Sequence, residues 1–164
     1  MLLAALDIPI RYVITWNFYR LWSMRWFFWG MGTIPIGGAA GVLTAFKKVA
    51  EVLRTGGIVG LFPEGRITRD GRIQPFQTGV ANLALRHGVA VQPVYIRGSF
   101  EALPRWAKWP KFTTIEFFVG PVIPVRRTAR PGEAEVSALT AEIRNAVLSL
   151  AGLPSEPGIR AATD

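Results

Sequence analysis

The chain of 164 residues has no cysteine and a single histidine, His87. The first absence removes disulfides, thiolate nucleophiles and cysteine-ligated metals together, and leaves the compartment open. The second excludes histidine-cluster metal sites, and any histidine-dependent catalysis within this sequence must run through His87. Charge is scarce too: 18% of residues are charged against 50% apolar, which excludes a disordered chain. A basic region followed by an apolar run and a cleavage site is missing at the N-terminus, so no signal peptide is expected. The longest uncharged stretch, Trp26–Phe46, is long enough on paper to cross a bilayer. It contains Gly30, Gly32, Gly37, Gly38, Gly41 and Pro35, however, and that pattern breaks a helix repeatedly. It reads as an apolar loop, a short strand near Thr33–Ile36, and the start of a helix.

What is present is an excess of positive charge. Nineteen basic residues against 11 acidic ones give +8, which suits an anionic partner. Six Trp, ten Phe and a mean hydropathy of +0.28 are too apolar for a typical nucleic-acid module. An anionic membrane surface is the expected partner, and no nucleic acid. Between Trp16 and Trp29 the aromatics interleave with Arg20 and Arg25, a composition suited to the lipid interface. Half of those rings serving as core is an equally good reading.

Strand and helix signals alternate along the chain. Ile10–Thr15 is β-branched and reads as a strand. Val42, Phe46, Val49 and Leu53 recur at helical spacing, with Lys47, Lys48, Glu51 and Arg54 on the other faces, and Gly56-Gly57 ends that helix. Ile58–Phe62 is a continuous apolar run of buried-strand type. A loop rich in Gly, Arg and Pro runs from Pro63 to about Gln77. Thr78 then caps a helix ending at Gly88, with Val80, Leu83 and Ala84 facing inward. Val89–Ile96 and Thr114–Val119 read as two more strands. Pro131–Leu150 reads as a helix with Val136, Leu139, Ile143, Val147 and Leu150 on one stripe. The expected fold is α/β: a single domain over 1–152 with a largely parallel central sheet flanked by helices, and a disordered tail over 153–164.

Ligands in open parallel sheets bind beyond the carboxyl ends of strands. The loop in that position reads Phe62-Pro63-Glu64-Gly65-Arg66-Ile67-Thr68-Arg69-Asp70-Gly71-Arg72. One carboxylate, Glu64, sits on a Pro/Gly turn, and Arg66, Arg69 and Arg72 follow. Arginine forks grip phosphate and a carboxylate accepts a hydrogen bond from an alcohol, so the loop suits a ligand carrying both groups. A solvated, salt-bridged turn would have the same composition.

Phe62-Pro63-Glu64-Gly65 resembles the F-P-E-G block of the glycerolipid acyltransferases, the family that contains 1-acylglycerol-3-phosphate acyltransferase. Four further stretches resemble that family in the right order. They are Gly32-Thr33-Ile34-Pro35-Ile36, Pro75-Phe76-Gln77-Thr78-Gly79, Val91-Gln92-Pro93-Val94-Tyr95-Ile96 and Gly120-Pro121-Val122-Ile123-Pro124. The resemblance implies transfer of a fatty acyl group from acyl-CoA or acyl carrier protein to the hydroxyl of a lysophospholipid, with no cofactor or metal. It implies substrate binding by Glu64, with Gly65 shaping the turn and Arg66, Arg69 and Arg72 as phosphate ligands in falling order. It also implies a peripheral location on the cytoplasmic face of a membrane.

The family's general base is the histidine of an H-x-x-x-x-D motif, oriented by the aspartate. That motif is absent from the sequence. His87 closes the Thr78 helix with no Asp at the needed spacing, so no catalytic residue is assigned. In the family the motif precedes an apolar helix like Met1-Leu2-Leu3-Ala4-Ala5-Leu6, and the sequence is expected to begin just after it. Two more positions depart from the pattern. Gly38 stands where the family has an arginine, and Arg66 and Ile67 stand in place of the threonine and arginine that follow F-P-E-G. The competing reading is a non-catalytic basic amphipathic module that binds anionic membrane surfaces.

Overall fold

A computed structural model describes residues 9–15, 32–37, 41–66, 68–102 and 111–155. The chain divides into two compact units, Met1–Phe62 and Pro63–Asp164.

The first unit is a parallel sheet with a helix against it. β1 (Ile10–Thr15) is the central strand, with β2 (Ile34–Ile36) on one side and β3 (Ile58–Gly60) on the other. Val13 pairs with Ile34 and Ile10 with Ile58, both in parallel register. Parallel strands need a crossover connection, and α1 (Gly41–Arg54) supplies the one from β2 to β3, which lie on opposite sides of β1. Ala45 and Val49, one turn apart, are its buried contacts; Phe46 and Leu53 are half-buried, and Lys47, Lys48, Glu51 and Arg54 face solvent. Arg54 returns to Glu51 at 2.7 Å, an exposed pair of little energetic weight. Thr55 ends the helix by donating its hydroxyl to the carbonyls of Glu51 and Val52.

Two details of this unit differ from the sequence reading. The Ile58–Phe62 run is a three-residue strand, half-buried rather than buried, and Phe62 is 59% exposed. Its ring stacks on Tyr12 at 6.3 Å, so an aromatic pair replaces burial in the core. Gly60 lies directly opposite Tyr12, and a Cβ there would come within 2.6 Å of the Tyr12 ring atom Cε1. The glycine makes room for the ring.

The second unit holds the larger core. α2 (Gly79–His87) and α4 (Glu133–Leu150) pack together, and Ala81, Ala84, Leu85, Ile123, Val136, Leu139 and Ile143 form one buried cluster. The expected stripe on α4 is present, with Val136, Leu139, Ile143 and Val147 buried and Leu150 half-buried. Leu83 and Ala84 of α2 are buried and Val80 half-buried, as its spacing required. Thr78 does not cap by its hydroxyl: its backbone is already helical, and its carbonyl accepts the Asn82 N–H at 2.9 Å.

β4 (Val94–Arg97) and β5 (Glu116–Val119) pair antiparallel, flanking the one-turn helix α3 (Ser99–Ala102). They are shorter than Val89–Ile96 and Thr114–Val119. Val91 is not in the strand; it bridges to Ile123, while Pro93, which has no N–H, is buried and accepts the Gly120 N–H. The three parallel strands of the first unit carry the α/β character of the chain. Gly38, Ile67, the Trp16–Trp29 segment and residues 156–164 of the expected tail lie outside the described residues.

Burial identifies where stability is concentrated. Ile143→Ala leaves a cavity between α2 and α4 and should cost about 2–5 kcal/mol. Leu43→Ala, at an exposed position on α1, should stay within about 0.5 kcal/mol. Urea unfolding followed by circular dichroism checks both values, and equal effects would contradict this placement of the core.

Candidate functional site

The loop from Pro63 to Gln77 is closed at its base by one short backbone bond, the Gln77 N–H to the Pro63 carbonyl at 2.7 Å. Gly65 turns the chain just inside that closure with φ +65°, a conformation that side-chain-bearing residues rarely adopt. A Cβ at this position would also come within 3.3 Å of Gln77 Cγ. The P-E-G order thus has a geometric cause. Proline leads in, glycine turns, and the residue between them is held against the far side of the loop.

That residue is Glu64. Its side chain is half-buried, and Oε2 accepts the Gln74 backbone N–H at 2.8 Å. Oε1 accepts no hydrogen bond among the described residues, and no arginine of the loop lies within ion-pair distance of the carboxylate among them. Burial pushes the Glu64 carboxyl above its ordinary pKa, against the opposing pull of the Gln74 amide, Arg66 and Arg144; Asp70 adds to the rise.

The outer half of the loop is organised separately by Asp70. Its Oδ1 accepts the Arg72 N–H at 3.1 Å, the Thr68 hydroxyl at 3.0 Å and the Gln74 side-chain amide at 3.2 Å. This is an aspartate-nucleated turn. The Arg72 amide, then the Thr68 hydroxyl, hold the Asp70 carboxyl below its ordinary pKa. Gln74 joins the two halves. Its backbone N–H serves Glu64, and its side-chain amide serves Asp70 and the Arg72 carbonyl.

The sequence candidates separate on this framework. Glu64, Gly65 and Arg66 come together, with the Arg66 charge acting on Glu64. The Arg72 charge acts on Asp70 instead. Arg69 is exposed on the outer turn. His87 is the last residue of α2, followed by Gly88, whose N–H returns to the Ala84 carbonyl at 2.8 Å. It ends a helix, as its sequence context required.

Arg144 is a charged neighbour of Glu64 that the sequence alone did not single out. It lies on α4 beside the core residue Ile143, with Nε and Nη1 shielded from solvent, and its charge reaches Glu64 from 80 positions along the chain. Its only sequence signal was a cation adjacent to a buried stripe position. No group of His, Asp or Glu among the described residues could hold a metal ion.

With the site in view, its relatives can be stated. A family model described as Acyltransferase matches residues 1–97. The chain is 32% identical over 76 residues to the chloroplastic 1-acyl-sn-glycerol-3-phosphate acyltransferase BAT2 of Brassica napus, covering 45% of this chain and 22% of that protein. The Arabidopsis thaliana chloroplastic enzyme LPAT1 matches at 33% over 76 residues, 21% of its length. The crystal structure of the 1-acyl-sn-glycerophosphate acyltransferase PlsC from Thermotoga maritima superposes with a TM-score of 0.67 at 16% identity. That superposition covers 88% of this chain and 56% of PlsC, which shows a shared fold. The match to the curated relatives spans about a fifth of their length.

The raised Glu64 pKa fixes a sign. A carboxyl whose folded pKa lies above its unfolded value opposes folding once pH exceeds both, and is neutral in both states below them. Glu64→Gln should therefore melt no lower than the parent at neutral pH. Any advantage of the variant should shrink as pH falls through the carboxylate range. Melting curves from acid to neutral pH test this, and a clearly lower Tm for the variant at pH 7 would mark Glu64 as a structural residue.

Proposed function

The chain belongs to the acyltransferase family, and on that premise we propose that it acts on a lysophospholipid, such as 1-acylglycerol-3-phosphate, as an acyl acceptor at a membrane surface. The acyl donor is a thioester of coenzyme A or acyl carrier protein. The observation that carries this reading is the Glu64 carboxylate. It is half-buried and oriented by the Gln74 amide through one oxygen, with no loop arginine ion-paired to it among the described residues.

In this reading Oε1 of Glu64 accepts a hydrogen bond from an acceptor hydroxyl, and Arg66 supplies the nearest loop charge for the phosphate. Arg69 and Arg72 extend the cationic edge outward. Arg144 biases Glu64 toward the ionised form that can accept the bond. Transfer forms a C–O bond from the alcohol oxygen to the thioester carbonyl carbon and breaks the C–S bond. The alcohol proton goes to a base and the thiolate is protonated on departure. His87 is the last residue of α2, and the sequence contains no H-x-x-x-x-D. That one observation favours the second reading, a non-catalytic module that binds anionic lipid, for the 164-residue chain itself.

Two measurements follow. The purified chain with lysophosphatidate and an acyl thioester should show negligible transfer, since lack of a positioned base costs about 10²–10⁴-fold. Robust turnover would require another base. Calorimetric titration with lysophosphatidate should show binding that Glu64→Gln weakens about 10–150-fold, the worth of a hydrogen bond to a charged group. Equal affinities for the variant and the parent would remove Glu64 from the acceptor site.

A further inference from the structure

The antiparallel pair β4–β5 has two unlike faces. Directly opposed residues of an antiparallel pair point to the same side. Tyr95 therefore shares one face with Phe118, and Arg97 shares it with Glu116. That face is internally satisfied. The Tyr95 and Phe118 rings lie 6.0 Å apart, Arg97 sits over the Phe118 ring at 4.5 Å, and its guanidinium pairs with Glu116 at 3.4 Å.

The other face is formed by Val94 with Val119 and Ile96 with Phe117, continued by Ile115. Every one of these side chains is apolar. Val94 and Ile96 are half-buried, and Ile115, Phe117 and Val119 are exposed, Val119 by 59%. Before β5 the Lys111 N–H donates to the Ala102 carbonyl at 2.7 Å, and Phe112 beside it is fully exposed. A contiguous apolar surface of this kind is rare on a soluble monomer and marks an interaction site.

The charges around it select the occupant. In the sequence Lys111 precedes β5 and Arg126 follows it, both exposed, while the acid of the ribbon, Glu116, is on the opposite face and paired with Arg97. The sequence that joins the two strands adds Arg105, Lys108 and two tryptophans against one acidic residue, Glu101. A second copy of the chain would bring the same cations against these, at +8 per chain. An anionic bilayer surface offers both an apolar layer for the side chains and phosphates for the flanking cations.

We propose that the Val94, Ile96, Ile115, Phe117 and Val119 face of the β4–β5 ribbon, together with the exposed Phe112 that precedes β5, docks on anionic lipid. The proposal rests on the reading that the chain works at a membrane. It places a lipid contact on the second unit, independent of the Trp16–Trp29 segment.

The test is co-sedimentation of the purified chain with phosphatidylcholine vesicles, with and without phosphatidylglycerol. It compares the parent, Phe117→Ser/Val119→Thr, Phe112→Ser and Lys111→Gln/Arg126→Gln, with Leu43→Ser on α1 as the control and a melting curve for each. The first two variants should each lose about tenfold or more in affinity for the anionic vesicles. The cation variant should lose salt sensitivity, and the control should bind like the parent. Phe112 is fully exposed, so its variant keeps the fold and decides the matter even where the double variant melts early. Parent binding that neither aromatic-face variant weakens would overturn the docking face while leaving the membrane reading intact. Failure of the parent to bind any vesicle would overturn both. A parent dimer in analytical ultracentrifugation that Phe112→Ser dissociates would assign the face to a second copy and overturn the proposal.

Discussion

A single backbone hydrogen bond, from the Gln77 N–H to the Pro63 carbonyl at 2.7 Å, decides what the rest of the site can be. It draws the two ends of a polar loop together, so the residues just inside the closure are no longer free to turn outward. Proline and glycine on either side of Glu64 then leave its carboxylate one direction, toward the backbone of Gln74. An exposed glutamate would recruit arginines by chance and lose them to solvent, worth about 0–1 kcal/mol. Held at half-burial by a backbone donor, Glu64 instead keeps a fixed position whatever the arginines do.

The burial that fixes the carboxylate also opposes its charge. The desolvation is the largest influence on Glu64, and the amide, Arg66 and Arg144 answer it only in part. A group left in that balance responds to what binds next to it. A hydroxyl donating to it favours the ionised form, which ties acceptor binding to the protonation of the loop. The core of the second unit sets the position of Arg144. Val136, Leu139, Ile143 and Val147 fix the rotation of α4, and Arg144 follows from that rotation to the flank that reaches Glu64.

Much of this was readable along the chain wherever the cause is local. The apolar stripe of α4, the glycine after α1 and the turn at Glu64-Gly65 depend on residues within a few positions of one another, and they appear as read; on α1, Val49 is buried beside Ala45, which lies outside the expected stripe, and Phe46 and Leu53 are half-buried. The parts that were not readable depend on distant partners. The Arg144 charge reaches Glu64 from a packed helix, and nothing within ten residues of either predicts it. Phe62 belongs to an apolar run that resembles a buried strand, yet its ring is used against Tyr12. Thr78 has the right residue type for a helix cap, but its backbone is already helical, so its hydroxyl makes no capping bond. The pairing of β4 with β5, and the open face it leaves, follows from the direction of a second strand about 20 residues away, which alternation alone does not encode.

We read Glu64 as a poised carboxylate facing an acceptor rather than a structural anchor. Carbon NMR titration of the Glu64 side-chain carboxyl, assigned by comparison with Glu64→Gln and recorded with and without lysophosphatidate, tests it most directly. The account predicts a midpoint above the ordinary glutamate value in the free chain. It also predicts a downward shift of that midpoint, with a changed carboxyl resonance, when the lipid is added. A midpoint at or below the ordinary value that the lipid leaves unmoved would contradict it.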